Sequence, residues 1–342
     1  MRKLLNTLFV TTQGAYLAKD GETVAVRVDG EMRLRLPVHT LEGVICFGQV
    51  SASPFLLGFC AEHGVGVGFL TEHGRFLARV QGPVKGNVLL RRQQYRLADD
   101  PGHSTHIARA IVSAKVANAR SILLRAARED KDSEDDDIRS AVKALASVLA
   151  RLEQAPNLDG VRGLEGEAAH RYFAAFEQMV VANREAFSFS SRSRRPPLDP
   201  MNALLSFVYT LLRHDCESAC EGVGLDPAVG FLHRDRPGRT GLALDLMEEF
   251  RACLADRLVL TLINRKQVQP KGFKKLESGA VLMDDATRKE VLTAWQQRKR
   301  EEIVHPFLEE SVPIGLLPHA QALLMARHIR GDLDAYPAFF WR

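Results

Sequence analysis

The sequence predicts an α+β protein, with a small N-terminal β-sheet domain followed by a larger all-α helical domain. Three observations carry that expectation. Apolar residues alternate in short runs up to about residue 90. From about residue 106 the apolar period becomes helical. Between them, Asp99-Asp100-Pro101-Gly102 breaks the pattern. The expected domains are residues 1–90, a linker at 91–105 and a helical domain at 106–342. A chain of 342 residues is long enough to bury a core in each.

The elements follow in order. Met1-Arg2-Lys3-Leu4-Leu5-Asn6 has two basic residues but no long apolar segment and no small-residue cleavage site. It reads as a first strand, not a signal peptide. Thr23 to Val28 alternates, Asp29-Gly30 turns, and Met32 to Leu36 returns as a hairpin partner. Val44 to Phe47 is a short buried strand, and Phe55 to Glu62 follows Ser53-Pro54 as a helix. Val65 to Leu70 and Phe76 to Val80 are strands separated by Glu72-His73-Gly74. Gly64-Val65-Gly66-Val67-Gly68 resembles a phosphate loop but lacks the third glycine of the dinucleotide fingerprint. It reads better as a strand approached closely by another backbone.

Ile107, Ile111, Ala114, Val116 and Ala119 lead into Ile122-Leu123-Leu124 as the first long helix. Ile138 to Leu152 is the next, with Val142, Leu145, Val148 and Leu149 on one face. Pro156 to Gly160 reads as a loop, and Glu165 opens a helix running to about Val181. Phe187 to Pro200 is irregular. Asn202 to Leu212, Leu242 to Ile263, Asp285 to Glu301 and Leu316 to Arg330 complete the helices.

Composition narrows the class. Apolar residues are 46% and charged residues 26%, ordinary for a globular chain. No apolar run is long enough to cross a bilayer, so a cytoplasmic protein is expected. The five cysteines (Cys46, Cys60, Cys216, Cys220 and Cys253) are odd in number and widely spaced, which argues against a disulfide framework. Cys216 and Cys220 share a helix face, but a zinc site would need a second pair. Buried thiols are expected instead.

The net charge of +4 and pI near 8.8 lean towards a polyanionic partner. Glu129 to Asp137 is an acidic run. Basic clusters stand at Arg91-Arg92, Arg192 to Arg195, Arg265 to Lys275 and Arg298 to Arg300. One such run is usually a solvated face; several together point to nucleic acid.

Chemistry is concentrated in Gly230-Phe231-Leu232-His233-Arg234, in Asp245-Leu246-Met247-Glu248-Glu249, and in Leu164-Glu165-Gly166-Glu167. A histidine and several carboxylates inside apolar segments are what a hard divalent-metal site is made from. Each also has a plainer explanation. His233 follows an apolar stretch and could be a satisfied core residue. Asp245, Glu248 and Glu249 lie three and four apart on one helix and could simply pair with Arg or Lys. Glu165 at a helix start would be favoured by the macrodipole alone. Spacing does not show that the three segments meet.

Four ordered segments resemble a known family. They are Leu164 to Phe173 (LEGEAAHRYF), Arg195 to Tyr209 (RPPLDPMNALLSFVY), Gly224 to His233 (GLDPAVGFLH) and Leu244 to Arg251 (LDLMEEFR). Together they are similar to the CRISPR-associated endonuclease and integrase Cas1, over nearly the whole chain. Gly331 to Pro337 (GDLDAYP) resembles the branch from type I systems, subtype C. The resemblance implies a metal-dependent DNA integrase that inserts short foreign DNA as spacers into a CRISPR array by transesterification. It implies Mn²⁺ or Mg²⁺ held by Glu165, His233 and Glu248, with Asp245 as the supporting acid. Many family members have aspartate where Glu248 stands, which leaves Glu249 as a competing ligand. Tyr172 and Tyr209 would orient the phosphate or DNA end, or else pack as ordinary aromatics. Arg92, Arg194, Arg195, Arg265, Lys266, Lys271, Lys274 and Lys275 would contact the DNA backbone. The implied partners are double-stranded DNA (prespacer and repeat), a second copy of the chain through the β domain, and a Cas2 dimer. Two other readings stay open: a DNA-binding scaffold without chemistry, and a nuclease acting on branched DNA.

Overall fold

The computed structural model describes residues 6–72, 76–80, 82, 88–129 and 136–341. The chain forms two compact units, Met1–Lys85 with Gln296–Arg300, and Gly86–Trp295 with Glu301–Arg342.

The first unit carries eight strands: β1 (Asn6–Val10), β2 (Tyr16–Asp20), β3 (Thr23–Val28), β4 (Glu31–Pro37), β5 (Leu41–Phe47), β6 (Ser51–Ala52), β7 (Gly66–Leu70) and β8 (Phe76–Val80). One sheet runs β1-β5-β7-β8, parallel except for the β7–β8 pair; the other runs β4-β3-β2-β6. The β3–β4 hairpin turns at Asp29-Gly30, both in the left-handed region (φ 53° and 81°) as a tight two-residue turn requires. Helix α1 (Pro54–Glu62) starts where Ser53 accepts the Leu56 amide. Its Leu56, Phe59 and Cys60 pack with Leu17, Val24, Val26, Val44 and Val67 in a single core. The glycine-rich segment is thus a strand inside a sheet, as expected, and not a phosphate loop.

The second unit is built on α2 (Val88–Asp99), α3 (Pro101–Glu129), α4 (Asp136–Glu153), α5 (Leu158–Ala174), α6 (Pro200–Val223), α7 (Gly241–Phe250), α8 (Arg257–Asn264), α10 (Leu317–Arg330) and the part of α9 (Asp285–Arg300) up to Trp295. A π-helical turn, Arg251–Asp256, joins α7 to α8. Among the described residues, no helix is long and apolar enough to cross a membrane.

Four expectations need correction. The 91–105 linker is helical, since it belongs to α2 and the start of α3. Pro101 sits at the first position of α3, where a missing N–H costs nothing, and Asp100 Oδ1 accepts the His103 amide as a cap (2.7 Å). The break in the pattern is therefore a junction between helices. The helical domain is not purely α. It carries two short hairpins, β9 (Phe273–Lys275) with β10 (Val281–Met283) and β11 (Glu302–Val304) with β12 (Ser311–Pro313). Leu242 to Ile263 is not one regular helix, because the π turn interrupts it. Finally, Glu165 does not open α5. Asn157 caps that helix by accepting the Gly160 amide (2.9 Å), so Glu165 lies mid-helix and the macrodipole does not explain it. Most of the acidic run at 129–137 lies outside the described residues. All five cysteines are buried thiols.

Candidate active site

The site is assembled from α3, α5, α7 and the loop before α7. That loop can approach α7 only because two glycines face each other. A Cβ on Gly230 would lie 2.6 Å from the Gly241 carbonyl carbon and 2.7 Å from Asp245 Oδ2. One on Gly241 would lie 2.7 Å from the Ala228 oxygen. The close approach brings three loop amides onto Asp245, which is fully buried. Phe231 N (2.6 Å), Leu232 N (2.9 Å) and His233 N (3.0 Å) all donate to its carboxylate.

His233 Nδ1 lies 2.7 Å from Asp245 Oδ1. A carboxylate only accepts, so Nδ1 carries the hydrogen, and Nε2 is the ring nitrogen that Asp245 does not engage. Asp245 thus fixes both the ring's orientation and its tautomer.

Glu165 from α5 and Glu248 from α7 converge on one cation, the ammonium of Lys115 on α3. Lys115 Nζ is 2.7 Å from Glu248 Oε2, and its side chain is only 12% exposed. Arg251, one turn after Glu248, donates to both of its oxygens at 2.9 and 3.0 Å. Burial alone would raise the Glu248 carboxyl, but Arg251, then Lys115 and His233, outweigh it and hold the pKa far below the usual carboxylate range.

Glu249 has a different environment. Its carboxylate accepts from Tyr336 Oη (2.5 Å), the Phe339 amide (2.6 Å) and Gln321 Nε2 (2.8 Å). Burial dominates there; those hydrogen bonds oppose it, and the pKa is pushed up to about 7. Glu249 faces the C-terminal segment and does not share the Lys115 ammonium.

Tyr172 and Tyr209 are buried behind the site. Tyr209 Oη bonds Asp256 Oδ1, and Tyr172 Oη bonds Asp256 Oδ2 at 3.1 Å. The Arg251 guanidinium lies over the Tyr209 ring, 4.5 Å from its centroid. Asp256 is raised by burial, and both phenols are raised by burial and by its charge. Their hydroxyls are thus committed to Asp256, and what they position is the Arg251 that grips Glu248.

The basic residues read from the sequence (Arg92, Arg194, Arg195, Arg265, Lys266, Lys271, Lys274 and Lys275) are all exposed. Arg194 stands near Arg239, whose pKa is lowered by burial and by the charges of Arg236, Arg194 and Arg162, against the pull of Asp245. Arg162 also donates to the Leu232 carbonyl at 2.6 and 2.9 Å. Arginines therefore stand near the His233–Asp245 end, with Arg162 and Arg234 both paired to Asp159. Beside it, a groove of about 720 Å³ is lined by Arg109, Arg162, His233 and Arg234, with Asp99, Asp159 and Asp235.

Sequence reasoning missed Lys115, Arg251, Asp256 and Arg239. A signal for Lys115 was present: a lone lysine within the apolar run Ile111 to Ala119 needs a buried counter-charge.

A family model described as "CRISPR associated protein Cas1" matches residues 8–297. A CRISPR-associated endonuclease Cas1 of Chlorobaculum tepidum is 57% identical over 343 residues, covering all of both chains. The chain belongs to the Cas1 family. The same fold occurs in a casposase bound to its integration product (TM-score 0.85, 20% identity, covering 99% of this chain and 95% of that one). It also occurs in a Cas6-RT-Cas1–Cas2 complex (TM-score 0.82, 22% identity, covering 99% of this chain and 36% of that one).

A divalent ion is implied by the family, and the donor chemistry suits one. Two carboxylates and an oriented imidazole are a set for Mn²⁺ or Mg²⁺. The Lys115 ammonium bridges the two carboxylates. Among the described residues, no three His, Cys, Asp or Glu side chains stand together as a ready ligand set. The donor types of Glu165, Glu248 and His233 suit a divalent ion, and the Lys115 ammonium stands between the two carboxylates.

Proposed function

We propose that this protein is a divalent-metal-dependent DNA endonuclease and integrase of CRISPR adaptation, joining short DNA fragments to a repeat by transesterification. The observation that carries this reading is the convergence of Glu165 and Glu248, from separate helices, on one cation beside an imidazole locked by Asp245. The endonuclease name of the Chlorobaculum tepidum relative and the casposase's integration product support the same chemistry.

In the reaction, the 3′-hydroxyl oxygen of the fragment forms a bond to a repeat phosphorus, and the bond from that phosphorus to the neighbouring repeat oxygen breaks. One phosphodiester replaces another, so no covalent protein intermediate and no nucleophilic side chain are required. With water in place of the hydroxyl, the same site nicks DNA.

Glu165, His233 and Glu248 would hold the Mn²⁺ or Mg²⁺, which when bound polarises the scissile phosphate and lowers the pKa of the attacking hydroxyl. Asp245 keeps His233 in the tautomer that offers Nε2. Arg251, steadied by Tyr209 and Asp256, keeps Glu248 ionised. Arg162, Arg194 and Arg239, with the exposed basic residues of the sequence reading, neutralise backbone phosphates without reading bases.

Double-stranded DNA, a second copy of the chain and a Cas2 dimer are the partners of this reading; the Cas1–Cas2 complex of the same fold supports the last. The Gly331 to Pro337 segment supports placement in subtype C of the type I systems.

A second reading, a scaffold that holds DNA without chemistry, is favoured by one observation: Lys115 neutralises the acidic pair as it stands. A strand-transfer assay with Mn²⁺, a short duplex, a repeat-bearing target and Cas2 separates the two. The enzyme reading expects joining by the wild type and none by Glu165→Ala or His233→Ala. Equal joining by the variants overturns the site assignment, and no joining by the wild type favours the scaffold.

A further inference from the structure

We propose that Lys115 is a resident counter-cation that gates metal entry: its ammonium holds Glu165 and Glu248 together in the metal-free protein and withdraws as a divalent ion takes its place. The inference rests on the metal-dependent reading above, and it assigns a role to a residue that reading does not use.

The argument begins with the two carboxylates. Glu248 is 5% exposed and Glu165 lies close to it, on a different helix. Two carboxylates sharing a poorly solvated point repel each other unless a positive charge lies between them. Arg251 binds Glu248 alone, from the adjacent turn. Among the described residues, Lys115 is the group that touches both. It comes from α3, and so links α3, α5 and α7 across the site. One turn further along α3, Asn118 Nδ2 donates to the Glu249 carbonyl (2.7 Å) and to the Phe339 carbonyl (2.9 Å), which fixes α3 against α7.

Glu165 and Glu248 are also the acids that would hold a divalent ion, and the ammonium stands between them. Two cations on the same pair of carboxylates would repel each other, so binding of the ion would move Lys115 away. A small crevice of about 20 Å³ is lined by Lys115, Ala168, Ala169, Tyr172 and Asp256, among others. It has the size of one water-sized group, and the small side chains Ala168 and Ala169 leave it open. A lysine suits this exchange better than an arginine: its charge is a single point on a flexible stem, with no planar fork to lock both acids bidentately.

The consequence is a competition. Only the fraction of molecules with Lys115 withdrawn binds the ion, so the apparent affinity is lowered by that fraction. The protein gains a site that stays assembled without metal and yields it readily.

The test is Mn²⁺ binding, followed by calorimetry and by the paramagnetic resonance signal of unbound Mn²⁺, on the wild type and on Lys115→Met. The variant keeps the stem and removes the charge. It is expected to bind Mn²⁺ about tenfold more tightly or better, to melt lower without metal, and to gain more in Tm on adding it. In the wild type, reductive methylation of Lys115, read by mass spectrometry, should rise several-fold when Mn²⁺ is added. This second measurement decides the matter if the variant does not fold. Equal or weaker Mn²⁺ binding by a folded Lys115→Met, or methylation unchanged by Mn²⁺, overturns the gating role and leaves the metal site standing. Absence of Mn²⁺ binding in both proteins overturns the metal reading itself, and this inference with it.

Discussion

Glu248 and Glu249 are adjacent on α7, both buried and both ionisable, yet they belong to two different regions of the molecule. Glu248 is gripped by two cations, Arg251 and Lys115. Glu249 is surrounded by neutral donors: a phenol, a carboxamide and a backbone amide. The first is held ionised; the second is pushed up to about 7 by burial. Burial alone therefore does not set the charge state of the two acids; the charge of their partners does. The helix sends one acid to the candidate active site and the next to the C-terminal segment, where Phe339 and Trp341 are fixed through Glu249 and Asn118.

The sharpest way to break this contrast is to remove each acid in turn. Glu248→Ala should lower strand transfer by about 1,000-fold, the order expected when a principal electrostatic group of a site is lost. Glu249→Ala should instead cost about 2–4 kcal/mol of stability, because three buried donors lose their acceptor. Chemical denaturation of the two variants separates these effects.

Gly230→Ala comes next. The added Cβ collides with Gly241 backbone and Asp245 Oδ2, so the loop must lift from α7 and loosen the His233–Asp245 contact. A loss of about 10- to 100-fold in joining is expected, as for other changes to a group that orients a ligand. Wild-type rates would show that the loop geometry is not needed.

The pH response should also differ between the two acids. For Glu249 the folded pKa, about 7, lies above the ordinary 4.5, so the folded chain retains its proton while the unfolded chain loses it. Its contribution to stability is present below about pH 4.5 and is lost as pH rises towards 7, by up to about 1.4 kcal/mol per unit. Glu248 has the opposite sign, since its contribution is present above the ordinary carboxylate range and is lost only in acid. Melting curves of wild type and Glu249→Gln between pH 5 and 8 should differ in slope; parallel curves would contradict the account.

The smallest expected effect is at the surface. Replacing Lys274 or Lys275 by alanine should weaken DNA binding uniformly across sequences and reduce the salt-dependence slope by about one per phosphate contact.

Much of the architecture was legible in the sequence where local rules acted alone. Asp29-Gly30 specified a hairpin, Ser53-Pro54 a helix start, and the period over Ile138 to Leu152 a helix face. Helix α2 was hidden because its buried side includes Gln94, a polar residue satisfied by the Asp226 and Val229 carbonyls, 132 and 135 residues away. The start of α5 was hidden because Asn157-Leu158-Asp159-Gly160 has the composition of a turn, and only its cap geometry shows a helix. Residues of the site could be named from the family resemblance, but the division of labour between Glu248 and Glu249 could not. It depends on Lys115, Tyr336 and Gln321, which are distant in sequence and carry no local pattern linking them to α7.

The most direct test is strand transfer in Mn²⁺ by Glu248→Gln and Glu249→Gln, measured side by side. Both changes keep size and remove charge. The expected result is loss of joining in Glu248→Gln with near wild-type joining in folded Glu249→Gln. Joining retained by Glu248→Gln and lost by folded Glu249→Gln would contradict the account.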